Sequence, residues 1–534
     1  MKQIFKFIAP YWKKGLFPIL YLAISTAISL VYPLFPKWAI DEAIKKHNMN
    51  MLIILSLSFL FLILIQRFFL YLNEITFYKF QTNTVFNIQK RLINTLFSYP
   101  LEFFDKSHSG YLIGRIRGDV VGMNYIFSET LIENLMDFIK SIGILAILLT
   151  ISSKLAIISL TVIPLLVYKV NISKTRVKEM NERVIEENAR VERELSDTLQ
   201  GIEVFKSFSK ETEGIKRAVD GLERHHNIEV KRNNVFSQYR NEFRLIFHIW
   251  EALLFFLGIA EVIQGRLTIG GYVAFSAYLL FLYTPLKNMA DFSSMIDYAK
   301  RSFKRIEELL NILPEEGGTV ALEHVERIEV KNVRFFYQDG KKVLEDVSFK
   351  INKGDKVLLK GESGRGKSTM IKLLLGLYRP DEGEILFNDI NISNFCLKKL
   401  REKIGYISQN IFLFNSTIKE NILLGNESVT DDELMEILGE CKLDTKITNL
   451  EKGIYEKVSE KGLNFSGGQK QKIALARALV KKPDVIIIDE GTSNIDLESE
   501  KEILEILEDK FKEKIIIRVT HRVVDLGEWK EIVF

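Results

Sequence analysis

Nine residues, Gly361-Glu362-Ser363-Gly364-Arg365-Gly366-Lys367-Ser368-Thr369, follow the short apolar run Lys356 to Lys360 and precede a helical pattern that begins near Met370. Glycines at this spacing let backbone N–H groups converge on phosphate oxygens, and the N-terminus of the following helix adds its dipole. Lys367 is then placed to reach the β- and γ-phosphates of a nucleotide, and Ser368 to offer a ligand to Mg2+. Further on, the continuous apolar run Val485 to Ile488 ends in Asp489 and Glu490. That is the pattern of a buried parallel strand presenting carboxylates at its C-terminal edge. Asp489 suits a hold on Mg2+, and Glu490 suits polarising an attacking water. Together these segments predict phosphoryl-transfer chemistry.

Residues of this kind need a sheet to hold them. From Val325 the chain turns to short β-branched runs separated by turns and helical patterns, which predicts an α/β nucleotide-binding domain. The length of 534 residues allows about three domain-sized units. Lys and Arg number 73 against 69 Asp and Glu, so no basic excess argues for a nucleic-acid partner. Cys396 and Cys441 are the two cysteines, too few for a disulfide framework, and the seven histidines do not form ligand spacing with them.

The first half reads as membrane. Gly15 to Pro36 carries no charge and is long enough to cross a hydrocarbon core of about 30 Å. Asn50 to Gln66 is a second uncharged run, continued to Tyr71. Ser141 to Tyr168 reads as two spans joined by a tight polar turn at Ser152, Ser153 and Lys154. Leu245 to Val262, interrupted by Glu251 and Glu261, and the uncharged Leu267 to Leu286 complete six. Lys2, Lys6, Lys13 and Lys14 precede the first, which reads as an anchor with a cytoplasmic N-terminus. Six crossings return the C-terminus to the cytoplasm, as expected of a multi-pass protein of the cytoplasmic (inner) membrane in contact with lipid. Residues 1–14 are either an interfacial amphipathic segment or an ordinary basic flank.

The charged connections Asn73 to Ile132 and Asn171 to Arg244 keep helical apolar spacing and predict helices continuing into the cytoplasm. Pro314, Gly317 and Gly318 mark a linker. The expected fold is multi-domain: an all-α six-helix transmembrane domain (15–312), a linker (313–324) and an α/β P-loop ATPase domain (325–534).

At this point the chain resembles the ABC transporters, in particular exporter-type half-transporters with membrane and ATPase domains fused. The distinguishing element is Phe465-Ser466-Gly467-Gly468-Gln469, which looks like the family signature that closes on a partner's ATP. Physically, Ser466 and two glycines ahead of a helix form a second N–H-rich anion site. The resemblance implies two ATPs sandwiched between two ATPase domains. It implies that Tyr337 stacks on adenine and that Gln409, in Tyr-Ile-Ser-Gln, contacts Mg2+ and the membrane domain. It further implies that Asp496 belongs to the loop signalling between sites and that His521 bonds the γ-phosphate. In the membrane half, Leu96 to Asp105 with Gly110 to Arg115, and Gly201 to Glu211, resemble the two cytoplasmic loops of exporters. Coupling helices are expected near Arg117 to Tyr125 and near Val204 to Glu213. The signature opens with Phe465 in place of the usual Leu, Gly491 follows Glu490, and Asn494 stands where Ala is usual; none removes a reacting group. The chain is expected to stop soon after His521, before the last strands and C-terminal helices typical of the family, which either puts the local stability of the His521 loop in doubt or marks a short subtype.

His248 and Glu251 share a helix face, either as a cavity-lining pair or, the favoured reading, beyond the hydrocarbon. The implied activity is ATP-driven export by a homodimer, with Lys367, Glu490 and His521 acting on the γ-phosphate. The cargo, whether hydrophobic drug, lipid or peptide, stays open, as do a heterodimeric assembly and a lipid flippase.

Overall fold

The computed structural model describes residues 12–107, 109–125, 128–337, 342–362, 364–424, 426, 428–459, 464–489, 497–519 and 529–534. The chain divides into two compact units, 1–97 with 109–312, and 98–108 with 313–534.

The first unit is built of helices whose lengths settle what the connections are. Met49–Leu96 has 48 residues and Glu211–Ile263 has 53. At a rise of about 1.5 Å per residue each exceeds the roughly 30 Å of a hydrocarbon core more than twofold. The charged connections are therefore continuations of spanning helices, as the spacing predicts. Outward faces carry large apolar side chains, among them Leu57 and Phe61, each 63% exposed, a surface suited to lipid rather than water. Inside, Ile144, Leu148, Leu155, Leu166 and Tyr278 are fully buried in one cluster.

Among the described residues, five helical stretches are long and apolar enough to cross a membrane, beginning at Lys13, Met49, Ser109, Ser153 and Glu211. The sixth apolar helix, Ile269–Leu282, is shorter. Helical structure resumes as Thr284–Leu310. The polar turn between the third and fourth spans narrows to Ser152. Its N–H donates to the Leu148 carbonyl, ending Glu129–Ile151, and its Oγ accepts from the Leu155 N–H, opening Ser153–Leu160. On the same end of the helices, Asp41 accepts from Thr268 Oγ1 at 2.6 Å and from the Gly270 N–H at 3.2 Å. Glu261 there takes Lys154 Nζ at 2.7 Å and Arg266 Nε at 2.6 Å. On the Glu211–Ile263 helix, His248 Nδ1 lies 3.0 Å from Glu251 Oε2.

The second unit holds two sheets among the described residues. One is antiparallel, ordered β2 (Lys342–Asn352), β1 (Arg327–Phe336), β4 (Glu382–Phe387), β5 (Ile390–Asn391). The other is parallel, ordered β6 (Ile404–Ile407), β7 (Val485–Asp489), β8 (Ile515–Val519), β3 (Lys356–Lys360), β9 (Lys530–Val533). Every residue of β7 and β8 is buried, which explains the Val/Ile runs Val485 to Ile488 and Ile515 to Ile517. After residue 521 the described residues form one further strand: β9 pairs in parallel with β3, and the Phe534 N–H donates to the Lys360 carbonyl at 2.9 Å.

One expectation from the resemblance is corrected. The cytoplasmic segment that belongs to the second unit is 98–108, with the short helix Leu101–Lys106, and not Arg117 to Tyr125. The latter stays in the first unit because Asp119, buried there, pairs with Arg115 Nη1 at 2.6 Å and with Arg305 Nε at 3.0 Å. The second connection does form a short helix, Ile202–Ser207, between two long ones.

Candidate nucleotide-binding site

The site grows from the carboxyl ends of β3 and β7, which flank β8 in the parallel sheet. Ligands of such sheets collect at those ends. Past β3 the backbone enters left-handed conformations at Gly364 (φ +83°) and Gly366 (φ +92°), where side chains are disfavoured. At Gly366 a Cβ would also meet Leu344 Cδ2 at 2.5 Å and the Val343 carbonyl at 2.9 Å. Gly366 immediately precedes the helix Lys367–Leu374 and, having no side chain, caps nothing. The first N–H groups of that helix are thus left for a ligand.

Lys367 is 4% exposed, and its Nζ donates to the carbonyls of Gly361 and Glu362, both at 2.8 Å. The ammonium therefore folds back along the loop it must serve. Ser368 Oγ donates to Asp489 Oδ1 at 3.0 Å, joining the phosphate loop to the end of β7. A hydroxyl and a buried carboxylate side by side are the oxygen donors a hard divalent cation takes. Thr369, also buried, shares a hydrogen bond of 3.1 Å with the Tyr337 hydroxyl. Glu362 and Arg365, both exposed, lie 3.6 Å apart at the rim.

Gln409 is exposed two residues beyond the end of β6. Ser466 opens the helix Gly467–Leu479 with a reciprocal cap: its Oγ accepts from the Gln469 N–H at 3.3 Å, and Gln469 Oε1 accepts from the Ser466 N–H at 3.0 Å. Gly468 is buried beneath it. Arg477, on the same helix, donates to the carbonyls of Asn421 at 2.8 Å and Phe412 at 3.0 Å, bracing it against the stretch that follows Gln409. Ser363, Glu490, Asp496 and His521 lie outside the described residues.

Two aromatic residues near the site escape sequence reasoning. Tyr406, on β6, is pushed above its ordinary phenol value by burial and then by the charge of Asp489 and a hydrogen bond to it. Tyr378 stands edge-on to Tyr337 at 5.8 Å and to Phe335 at 5.4 Å. Tyr378 lies in no motif, and Tyr406 opens the Tyr-Ile-Ser-Gln stretch only as a flank of Gln409; a tyrosine in a strand or after a helix carries no signal until its neighbours are known.

The model of the ABC transporter family matches residues 344–493, and that of the ABC transporter transmembrane region matches residues 16–286. The Bacillus subtilis protein YgaD, named as a candidate multidrug export ATP-binding/permease protein, is 28% identical, and the alignment covers 100% of this chain and 94% of that protein. A Staphylococcus aureus (strain NCTC 8325 / PS 47) protein of the same description gives the same identity and coverage. Among solved structures, a bacterial Atm1-family ABC exporter with ATP bound superimposes with a TM-score of 0.81 at 24% identity, covering 96% of this chain and 91% of the other. The chain belongs to the ABC transporter family: an exporter-type membrane region fused to an ATP-binding ATPase domain, forming an ATP-driven transporter of the membrane.

Proposed function

We propose that two copies of this chain export a hydrophobic or amphipathic substrate, a drug, lipid or peptide, across the cytoplasmic membrane by alternating access. The observation that carries this reading is the Lys367–Ser368–Asp489 constellation at the open N-terminus of the phosphate-loop helix, in a chain whose other half is spanning helices. The names of the Bacillus and Staphylococcus relatives favour a drug-like cargo.

In this reading the loop N–H groups and Lys367 hold the β- and γ-phosphates, and Tyr337 stacks on the base. Ser368 and Asp489, with Gln409, hold Mg2+, which supplies charge neutralisation on the phosphates. Glu490 orients the attacking water, and His521 bonds the γ-phosphate. Ser466, Gly467, Gly468 and Gln469 of one copy close over the nucleotide of the other, while Asp496 belongs to the loop that signals between the two sites. Closure favoured by ATP binding drives the switch in access, and hydrolysis resets it.

The test is Mg-ATP hydrolysis by the purified chain in lipid, wild type beside Glu490→Gln, with lipids, drugs and peptides added in turn. The reading expects wild-type turnover, ATP retained without turnover in the variant, and stimulation by one cargo class. A folded but inert chain sinks the homodimer and points to a second, different subunit.

A further inference from the structure

Within the second unit, a line of side chains leads from the phosphate-loop helix to the Leu101–Lys106 helix. Thr369 holds the Tyr337 hydroxyl at 3.1 Å. Tyr337 meets the buried ring of Tyr378 edge-on at 5.8 Å, and Phe335 packs edge-on against both, at 5.1 and 5.4 Å. The Tyr378 hydroxyl then donates to Asp105 Oδ2. Lys372, on the phosphate-loop helix, stands beside this bond, its Nζ 3.6 Å from Asp105 Oδ2 and 5.3 Å from the centre of the Tyr378 ring. A cavity of about 270 Å3 opens beside this line, bordered by Glu102, Asp105, Phe336, Tyr337 and Tyr378.

We propose that Tyr378 is a positioning residue that ties the base platform at Tyr337 to Asp105, so that a bound base is felt by the Leu101–Lys106 helix. The inference rests on the reading of Tyr337 as the aromatic that stacks on adenine. To offer its ring to a base, Tyr337 must give up the position in which Thr369 holds its hydroxyl, and the cavity leaves it room to turn. Tyr378 has no such freedom, since it is buried against Phe335 and fixed through Asp105. Reorientation of Tyr337 therefore changes the edge contact that holds Tyr378, and the strain passes to the hydrogen bond on Asp105. The consequence reaches the membrane half by covalent connection, because Leu101–Lys106 stands in sequence between Met49–Leu96 and Glu129–Ile151.

The experiment is amide hydrogen exchange on the full chain in bilayer discs of phosphatidylethanolamine and phosphatidylglycerol, with Mg-ATP or with Mg-tripolyphosphate, which has the phosphates and no base. In wild type, ATP should slow exchange in both Lys367–Leu374 and Leu101–Lys106, and tripolyphosphate in Lys367–Leu374 alone. In Tyr378→Phe, ATP should still slow exchange in Lys367–Leu374, while the slowing at Leu101–Lys106 is lost. A purely structural role would speed exchange at Leu101–Lys106 equally with and without ATP, and that result overturns the proposal. So does retention of the ATP effect in Tyr378→Phe, or its production by tripolyphosphate in wild type. Should Tyr378→Phe not fold, Asp105→Ala makes the same comparison. No ATP effect at Lys367–Leu374 in wild type overturns the nucleotide reading of the site and the relay with it.

Discussion

Two helices of the ATPase domain begin with glycine-containing turns and could each face a phosphate, yet their first turns are finished differently. At Lys367–Leu374 the preceding residue is Gly366, which has no side chain to cap with, and the loop is held by Lys367 donating to its own carbonyls. At Gly467–Leu479, Ser466 and Gln469 cap one another and satisfy two N–H groups from within. The first terminus is built for a ligand the same chain binds. The second is stable without one, which suits a surface whose proposed phosphate arrives only with a partner. A cap of this kind contributes about 1 kcal/mol to its helix. In the proposed reading, two anion sites with similar sequence texture treat their N–H groups in opposite ways, according to who brings the anion.

Four substitutions sharpen or break this contrast. Lys367→Ala should have the largest effect, lowering kcat for Mg-ATP by about 10²–10³, as loss of one preorganised donor to a developing charge does. Gly366→Ala comes next. The left-handed backbone costs about 1–2 kcal/mol and the crowding against Leu344 and Val343 adds to it, so both the melting temperature and ATP binding should fall. Ser466→Ala should remove about 1 kcal/mol of helix stability and lower hydrolysis roughly tenfold while leaving ATP affinity unchanged, as measured by nucleotide binding beside turnover. Gln469→Ala should be the mildest, costing about 0.5 kcal/mol or less in a denaturation series. If Gln469→Ala impairs hydrolysis as severely as Ser466→Ala, the reciprocal cap is more than a holding state and the contrast between the two termini fails.

What could be read beforehand follows from how local the governing physics is. The phosphate loop and the β7 carboxylate were legible because glycine, lysine and carboxylate must recur at fixed places around a phosphate. The Ser152 turn was legible because a polar triplet interrupts an otherwise apolar run. The long helices showed themselves through a period that continued past the hydrocarbon. The segment joining the second unit was misplaced at Arg117 to Tyr125 because both stretches have the same helical texture. Only the three-dimensional pairing of Asp119 with Arg115 and Arg305 keeps one of them in the first unit. Pro100, ahead of the Leu101–Lys106 helix, was the available hint of a fresh helix start. The contacts of Tyr378 and Tyr406 were invisible for the same reason, since their partners come from distant strands and helices. The cargo has no comparable signature, because apolar faces that suit lipid also suit many hydrophobic molecules.

The connections 45–48, 152 and 264–268 all lie at one end of the spanning helices, and the middle one is a single serine whose N–H and Oγ are both engaged. An antibody or protease approaching that end meets almost no loop to grip. An epitope tag placed at Ser152 would have to break two helix ends at once, whereas 45–48 offers a stretch outside the helices for insertion. Surface labelling of this transporter on intact cells is therefore best aimed at 45–48.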